Sequence, residues 1–428
     1  MTSGPRYLLS LLCVLAAVGV PLLIAGLGAD DSHARPANGL TAQDLAAKTP
    51  GIAHQVEQLR DLSFDGEPDT HIVGVGKLRR EYERAQGKHK GQLETAEDAY
   101  KMLGIVGAQE SLSDIGAGIA EQVAGFYDPK RKQLFLVRNP LSENSAAAEI
   151  TIAHELDHAL EDQHFGIGGD SDELSDDRGL AATALIEGSA TELEFAYSLQ
   201  YIHLNALRRI AKQADVAISA TEGTLPKAFE AEENFPYTRG RIFVASLLRS
   251  GSGWNLVNIA LRNRPPLSTE QILHPFKYLS YERPLPVRLR QGDSLPSGWH
   301  HLAGGDIGES ETYLMLRPAI EMKAARRAAA GWGGQRLQLW RRGDAPCSAP
   351  CRSRDALFGT WRWDTAADAR QFDEALPVFM EKQLGGQATG PGTWALQDGW
   401  AAVDQGPKQT TVAFAPSAAL ARQLAGSG

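Results

Sequence analysis

The sequence predicts an α+β fold in two parts, and two observations carry that prediction. In the first part, helical patterning fills residues 144–164 and the stretch from about Asp176 to Lys212, while strand-like runs are short. Around residue 311 the character changes. Seven of the eight tryptophans lie beyond residue 298, and "RLQLW", "LFGTWRW", "GWAAV" and "TTVAFA" read as strands around a helical "DARQFDEALPVFMEKQL". The division expected is a signal anchor or signal peptide over 1–29 and a linker over 30–48. A mainly helical domain with a small edge sheet follows over 49–310, and a small α+β domain over 311–428.

The elements follow in order. Arg6 precedes a run from Tyr7 to Gly28 without a charged residue, long enough to span a bilayer, while Pro21 and the small residues up to Ala29 keep a cleavable signal open. Arg6 before the run and Asp30 and Asp31 after it place the body outside the cytoplasm, either anchored or secreted. Cys13 lacks a small residue before it, so it does not form a good lipidation site. "THIVGV" followed by "KLRREYERA" reads as strand then helix. "VAGFYDPKRKQLFLVRNP" reads as a hairpin turning at Asp128-Pro129. Asn144 or Ser145 can cap the next helix, and Ser175 or Asp176 the one after it. The acidic loop from Asp170 to Asp177 between them lacks the spacing of a calcium loop and reads as solvated. "FPYTRGRIFVASLL" is helical. Cys347 and Cys351 lie outside the cytoplasm on this reading, without further zinc ligands nearby, and are expected to form a local disulfide.

Bulk properties narrow the function. The 428 residues, 43% hydrophobic and 22% charged, describe a globular chain with a real core. A net charge of −9 argues against nucleic acid as a partner, which needs a basic footprint.

The stretch "EITIAHELDHALEDQHF" carries the chemistry. His154 and His158 are four apart on a helix and share one face, the spacing at which two imidazoles grip one zinc ion. Glu155, at the edge of that face, reaches a water on the ion rather than the ion itself. A catalytic zinc wants a third protein ligand. In "ALIEGSATELEF", Glu187 shares a stripe with Leu180, Ala184, Thr191 and Phe195, where a carboxylate is costly unless paired or coordinated. Gly188, Ser189 and Ala190 are small enough to let two helices approach. An antiparallel pair of helices brings Glu187 level with His158.

This arrangement, His154-Glu155-x-x-His158 with Glu187 on the next helix, resembles the gluzincins, zincin-type zinc metallopeptidases whose third ligand is glutamate. "GFYDP", "ALIEGSAT" and "STEQILHPFKY" resemble segments of uncharacterised bacterial envelope proteins regarded as candidate metallopeptidases. The resemblance covers about residues 120–200 and implies a zincin-like catalytic domain, one zinc ion, and a peptide or protein substrate. It also implies an edge strand ahead of the active-site helix that binds extended substrate, and "KQLFLV" is placed for that role. Glu155 would then be the general base, and His274 or Tyr237 the donor to the oxyanion, with Arg239 and Tyr127 weaker candidates. The sequence departs from the pattern at Asp157, charged where an uncharged residue is usual, and at Thr191, where many members carry a histidine-orienting aspartate.

Other readings stand beside this one. His154 and His158 can sit on a solvated acidic helix face. Glu155 and His158 form the Glu-x-x-His unit of di-iron bundles, for which the second helix offers only Glu187 with Ala190. His164 reads as a helix-end histidine, and it and Glu192 are the reserve ligands. A non-catalytic envelope protein with a structural or decayed zinc site is the alternative function.

Overall fold

The computed structural model describes residues 42–114, 125–138, 145–167, 176–210, 235–289, 292, 295–345 and 347–426. The uncharged run Tyr7–Gly28, Asn144, Ser175 and most of the acidic loop lie outside the described residues. Among the described residues no helix is long and apolar enough to cross a membrane.

The fold is α+β. The first helix, α1 (Ala42–Arg60), begins inside the stretch read as linker, because Leu45, Ile52 and Val56 recur at helical spacing and are buried. Strand β1 (Asp69–Gly74) leads into α2 (Val75–Met102), and the hairpin of β2 (Gly125–Asp128) and β3 (Gln133–Arg138) follows. Lys132, at φ 57°, completes the turn. The three strands form a sheet in the order β1-β3-β2, β1 parallel to β3 and β2 antiparallel to it. "KQLFLV" is therefore the central strand, not an edge. Its partner β1 comes from more than sixty residues earlier, and the edge facing the next helix is β2.

Helices α3 (Ser145–Phe165) and α4 (Asp176–Tyr201) come next. The second breaks at Ile202 and His203 and resumes at 204, short of one continuous helix to Lys212. Then follow α5 (Phe235–Leu247), α6 (Asn255–Asn263), α7 (Thr269–Leu273) and α8 (Pro275–Leu279). Leu134, Leu136, Ile152, Leu156, Leu160, Leu193 and Tyr197 join the α1 residues in one core, and α4, α5, α6 and α7 share a second.

The rest of the chain builds around a seven-stranded antiparallel sheet. Its elements are β4 (Trp299–Gly305), α9 (Glu309–Leu316), α10 (Met322–Ala329), β5 (Trp332–Arg342), β6 (Asp355–Trp363) and α11 (Ala366–Val378). Then come β7 (Gln387–Gly390), β8 (Thr393–Leu396), β9 (Gly399–Gly406), β10 (Gln409–Ala415) and α12 (Ala418–Gly426). Strand order is β4-β5-β6-β10-β9-β8-β7, so the sheet begins ahead of residue 311. Cys347 and Cys351 have their Cα atoms 5.7 Å apart and their sulfurs at bonding distance. The end of α2 packs into this core. Leu93, Tyr100 and Leu103 join Trp332, Trp361 and Phe372, the Tyr100 hydroxyl donates to Glu311 (2.5 Å), and Asp98 pairs with Arg341.

Candidate metal centre

Helix α3 is not a solvated acidic face. From Ala147 to Asp162 every residue is buried except Glu149 and His158, which are half-buried. A charge in that setting is costly unless it is partnered, and the partners are in place. Arg60, wholly buried at the end of α1, donates to Asp157 (2.5 Å), Glu161 (2.8 Å), Ser189 (3.2 Å) and Asn258 (3.1 Å) and stacks on Trp254. This accounts for the charge at position 157. Asp162 accepts from the Tyr127 hydroxyl (2.8 Å) and from Lys132 (2.5 Å).

The two histidines converge on one carboxylate oxygen. Glu187 Oε2 is 3.3 Å from His154 Nε2 and 3.4 Å from His158 Nε2. One ligand atom from each of the three residues lies within 4.8 Å of the others. These separations are long for hydrogen bonds. They match instead the edge of a zinc tetrahedron, since ligands at ~2.0–2.1 Å from one ion stand about 3.3–3.4 Å apart. The donor set, two imidazole nitrogens and one carboxylate, is that of hydrolytic zinc sites. These residues therefore fit a single zinc ion.

Behind this group stands Glu194, whose Oε2 is 3.3 Å from His154 Nδ1. It lies seven residues after Glu187, two helical turns along the same face of α4. Thr191 donates its hydroxyl to the Glu187 carbonyl (2.6 Å) and is not the orienting group. His158 Nδ1 has no hydrogen-bond partner among the described residues. Burial opposes charge on both histidines, but the hydrogen bonds and charges of the carboxylates outweigh it, so both pKa values are raised, that of His154 strongly. Burial likewise pushes Glu187 up, yet His158 and His154 prevail and bring it to about 2. A carboxylate thus stands beside each nitrogen of the His154 ring.

Glu155 stands outside the ligand group. Its Oε2 accepts from the Tyr127 backbone N–H (2.9 Å), which ties α3 to the edge strand β2. It is 3% exposed, and burial raises its pKa. Ala190, the position that a di-iron reading needs as histidine, is a buried alanine. Tyr237 is buried with its ring 6.3 Å from that of His154. It reaches there because α5 crosses α4 in backbone contact. A carbon added at Gly188 would stand 2.1 Å from the Gly240 carbonyl carbon. The small residues after Glu187 thus admit α5, while Ser189 turns to Arg60.

Other candidates sit elsewhere. His274 Nε2 is held by Glu309 (2.9 Å), and its ring lines a cavity with Arg239 whose walls include none of His154, Glu155, His158 or Glu187. His164 Nε2 donates to the Ser63 carbonyl (2.8 Å), and Glu192 pairs with Arg241 (2.9 Å). Phe195 is exposed and covered by Arg241, so the stripe through Glu187 is buried only as far as Thr191. A second acidic cluster, Glu270, Glu282 and Asp364, is filled by the Lys277 ammonium at 2.8, 2.6 and 2.5 Å.

Sequence reasoning missed Glu194 and Arg60. The seven-residue step from Glu187 signals the first. Nothing local signals the second, which meets Asp157 across 97 positions.

Residues 300–425 match the domain of unknown function DUF8575. That match covers the seven-stranded sheet and its helices and leaves the histidine cluster outside it. No curated protein matches the chain. Among solved structures, a candidate hydrolase with a novel fold from Chloroflexus aurantiacus is similar at 16% identity and a TM-score of 0.37, over 58% of this chain and 92% of that one. A likeness that slight carries neither fold nor activity across.

Proposed function

We propose that this chain is a zinc-dependent metallopeptidase of the gluzincin kind, with His154, His158 and Glu187 as ligands and Glu155 as general base. The observation that supports it most is the convergence of two Nε2 atoms on one Glu187 oxygen at tetrahedral spacing, beside a carboxylate that is not itself a ligand. When bound, zinc would supply Lewis acidity, polarising the scissile carbonyl and lowering the pKa of water. Glu194 fixes the His154 ring and the nitrogen that keeps its proton. Glu155, its pKa raised by burial, accepts the proton of the attacking water and hands it to the leaving amine. Strand β2, whose outer edge lies against α3, is the edge on which an extended peptide would pair. Tyr237 is the better placed oxyanion donor, since His274 is engaged with Glu309. Arg6, the uncharged run after it and the cysteine pair support a location outside the cytoplasm, anchored or secreted.

One observation favours a second reading. The cluster is nearly closed, with Glu155 3% and Glu187 5% exposed and Glu155 already bonded to β2. A structural zinc site would look the same. Zinc analysis and peptide-library cleavage on the wild type and Glu155→Gln separate the two. The peptidase reading expects near-unit zinc in both and a ~10²-fold or greater loss of cleavage in the variant. Bound zinc without cleavage of any peptide by the wild type would establish the structural site. Absence of zinc from the wild type would refute both.

A further inference from the structure

A cavity of about 570 Å³ lies where the first part of the chain meets the second. Helix α5 contributes Phe235, Thr238 and Arg239, α9 contributes Tyr313, and α10 contributes Arg326 and Arg327. That volume suits a small molecule. The charge of the walls is lopsided. Its one carboxylate, Glu309, is 5% exposed and engaged by His274 at 2.9 and 3.0 Å. The three arginines have no carboxylate partner among the described residues. Arg326 only stacks over Tyr313, at 5.8 Å. Burial, then the neighbouring Arg326, lowers the pKa of Arg239, and the phenol of Tyr313 is the one group opposing them. Two guanidinium groups held near each other without an anion repel, and a half-buried one normally finds a partner. Phe235, Leu273 and Leu314 form an apolar stretch of the remaining wall, which also holds Thr238 and Ser310.

We propose that this cavity binds a small organic anion, its phosphate or carboxylate group gripped by Arg239 and Arg326 and its apolar part laid against Phe235, Leu273 and Leu314. The guanidinium fork matches both anionic groups through paired hydrogen bonds. Arg327, exposed like Arg326, adds positive charge that draws the anion in. The ligand would bridge α5 and α10 and tie the two parts of the chain together. This site is independent of the zinc reading.

The test is calorimetric titration of the full-length protein with phenyl phosphate, inorganic phosphate and benzoate. The expected result is saturable one-to-one binding of phenyl phosphate or benzoate. Arg239→Gln and Arg326→Gln should each weaken it about tenfold or more, as loss of a charged hydrogen bond does. Arg239→Lys should fall between, and Arg249→Gln, outside the cavity, should bind as the wild type does. Phenyl phosphate binding tighter than benzoate assigns the site to phosphate esters, and the reverse order to carboxylates. His154→Ala, which lacks a zinc ligand, should bind the anion unchanged. Should either glutamine variant misfold, Arg239→Lys with the wild type still decides, because unaltered affinity there removes the fork from the site. No saturable binding of any probe up to ~10 mM, or equal affinity in wild type, Arg239→Gln and Arg326→Gln, would overturn the proposal.

Discussion

Gly188 is the position at which packing and chemistry are most directly coupled. Replacing it with alanine places a carbon 2.1 Å from the Gly240 carbonyl carbon and 2.4 Å from its oxygen. Both are backbone atoms, which no rotamer change can move. Ordinary contact begins near 3.4 Å, so α4 and α5 must part by about 1.3 Å. Overpacking of this kind costs about 1–3 kcal/mol, with the upper end expected where helix backbones touch. Glu187 precedes Gly188, and metal ligands tolerate displacements of only about 0.2 Å. Even half of the separation, taken up by α4, shifts Glu187 past that limit. Zinc affinity should fall at least ~10-fold although no ligand is altered. The control is Gly51→Ala, an exposed helical glycine with nothing within 4 Å of the added carbon. It should gain about 0.5–1 kcal/mol and leave zinc affinity alone. Urea unfolding and competitive zinc titration measure both. If Gly188→Ala unfolds at the wild-type midpoint, the helices are less closely packed than described and the reasoning fails. Lost stability with unchanged zinc affinity would refute only the coupling to Glu187.

Three further outcomes follow. Glu194→Ala should stay folded while zinc affinity drops about 10–100-fold, because the His154 ring loses its anchor; chelator competition reads this directly. Arg60→Ala should cost about 3–5 kcal/mol in denaturant unfolding, since it strands Asp157 and Glu161 without their cation. Asp177, raised to about 7 by burial and by Asp306, holds a proton when folded that the unfolded chain releases near pH 4, so its stabilising contribution is full below that and lost as pH rises toward 7. Asp177→Asn keeps an acceptor for Thr269 and should gain on the order of 4 kcal/mol over the wild type at pH 8 and almost nothing at pH 4.

What the sequence disclosed follows the range of each signal. His154 and His158 were legible because a four-residue step on a helix is local, and Glu187 because a carboxylate on a buried stripe is anomalous. Glu194 was within reach by the same periodicity. The role of "KQLFLV" was not, because an edge and a centre differ only by the presence of β1, whose pairing spans distant sequence. The same limit hid Arg60, and the insertion of the α2 end among Trp332, Trp361 and Phe372. His274 sits in a segment whose local pattern fits either an oxyanion donor or the Glu309 pairing, and only the fold chooses.

Charge supports the proposed ion as much as distance does. Along α3 and its neighbours, Arg60 answers Asp157 and Glu161, and Lys132 with the Tyr127 hydroxyl answers Asp162. Glu155, Glu187 and Glu194 have no lysine or arginine partner among the described residues, and all three are buried. What faces them is two imidazoles. The charges and hydrogen bonds of the carboxylates raise both histidine pKa values despite burial. A proton on each ring would carry the charge of one divalent cation. On the zinc reading proposed above, exchanging them for the ion would leave the buried charge unchanged and free both Nε2 atoms to coordinate. Glu194 meanwhile retains the Nδ1 hydrogen bond that sets the ring. A carboxylate excess of this kind is expensive in a core that has no such exchange to make.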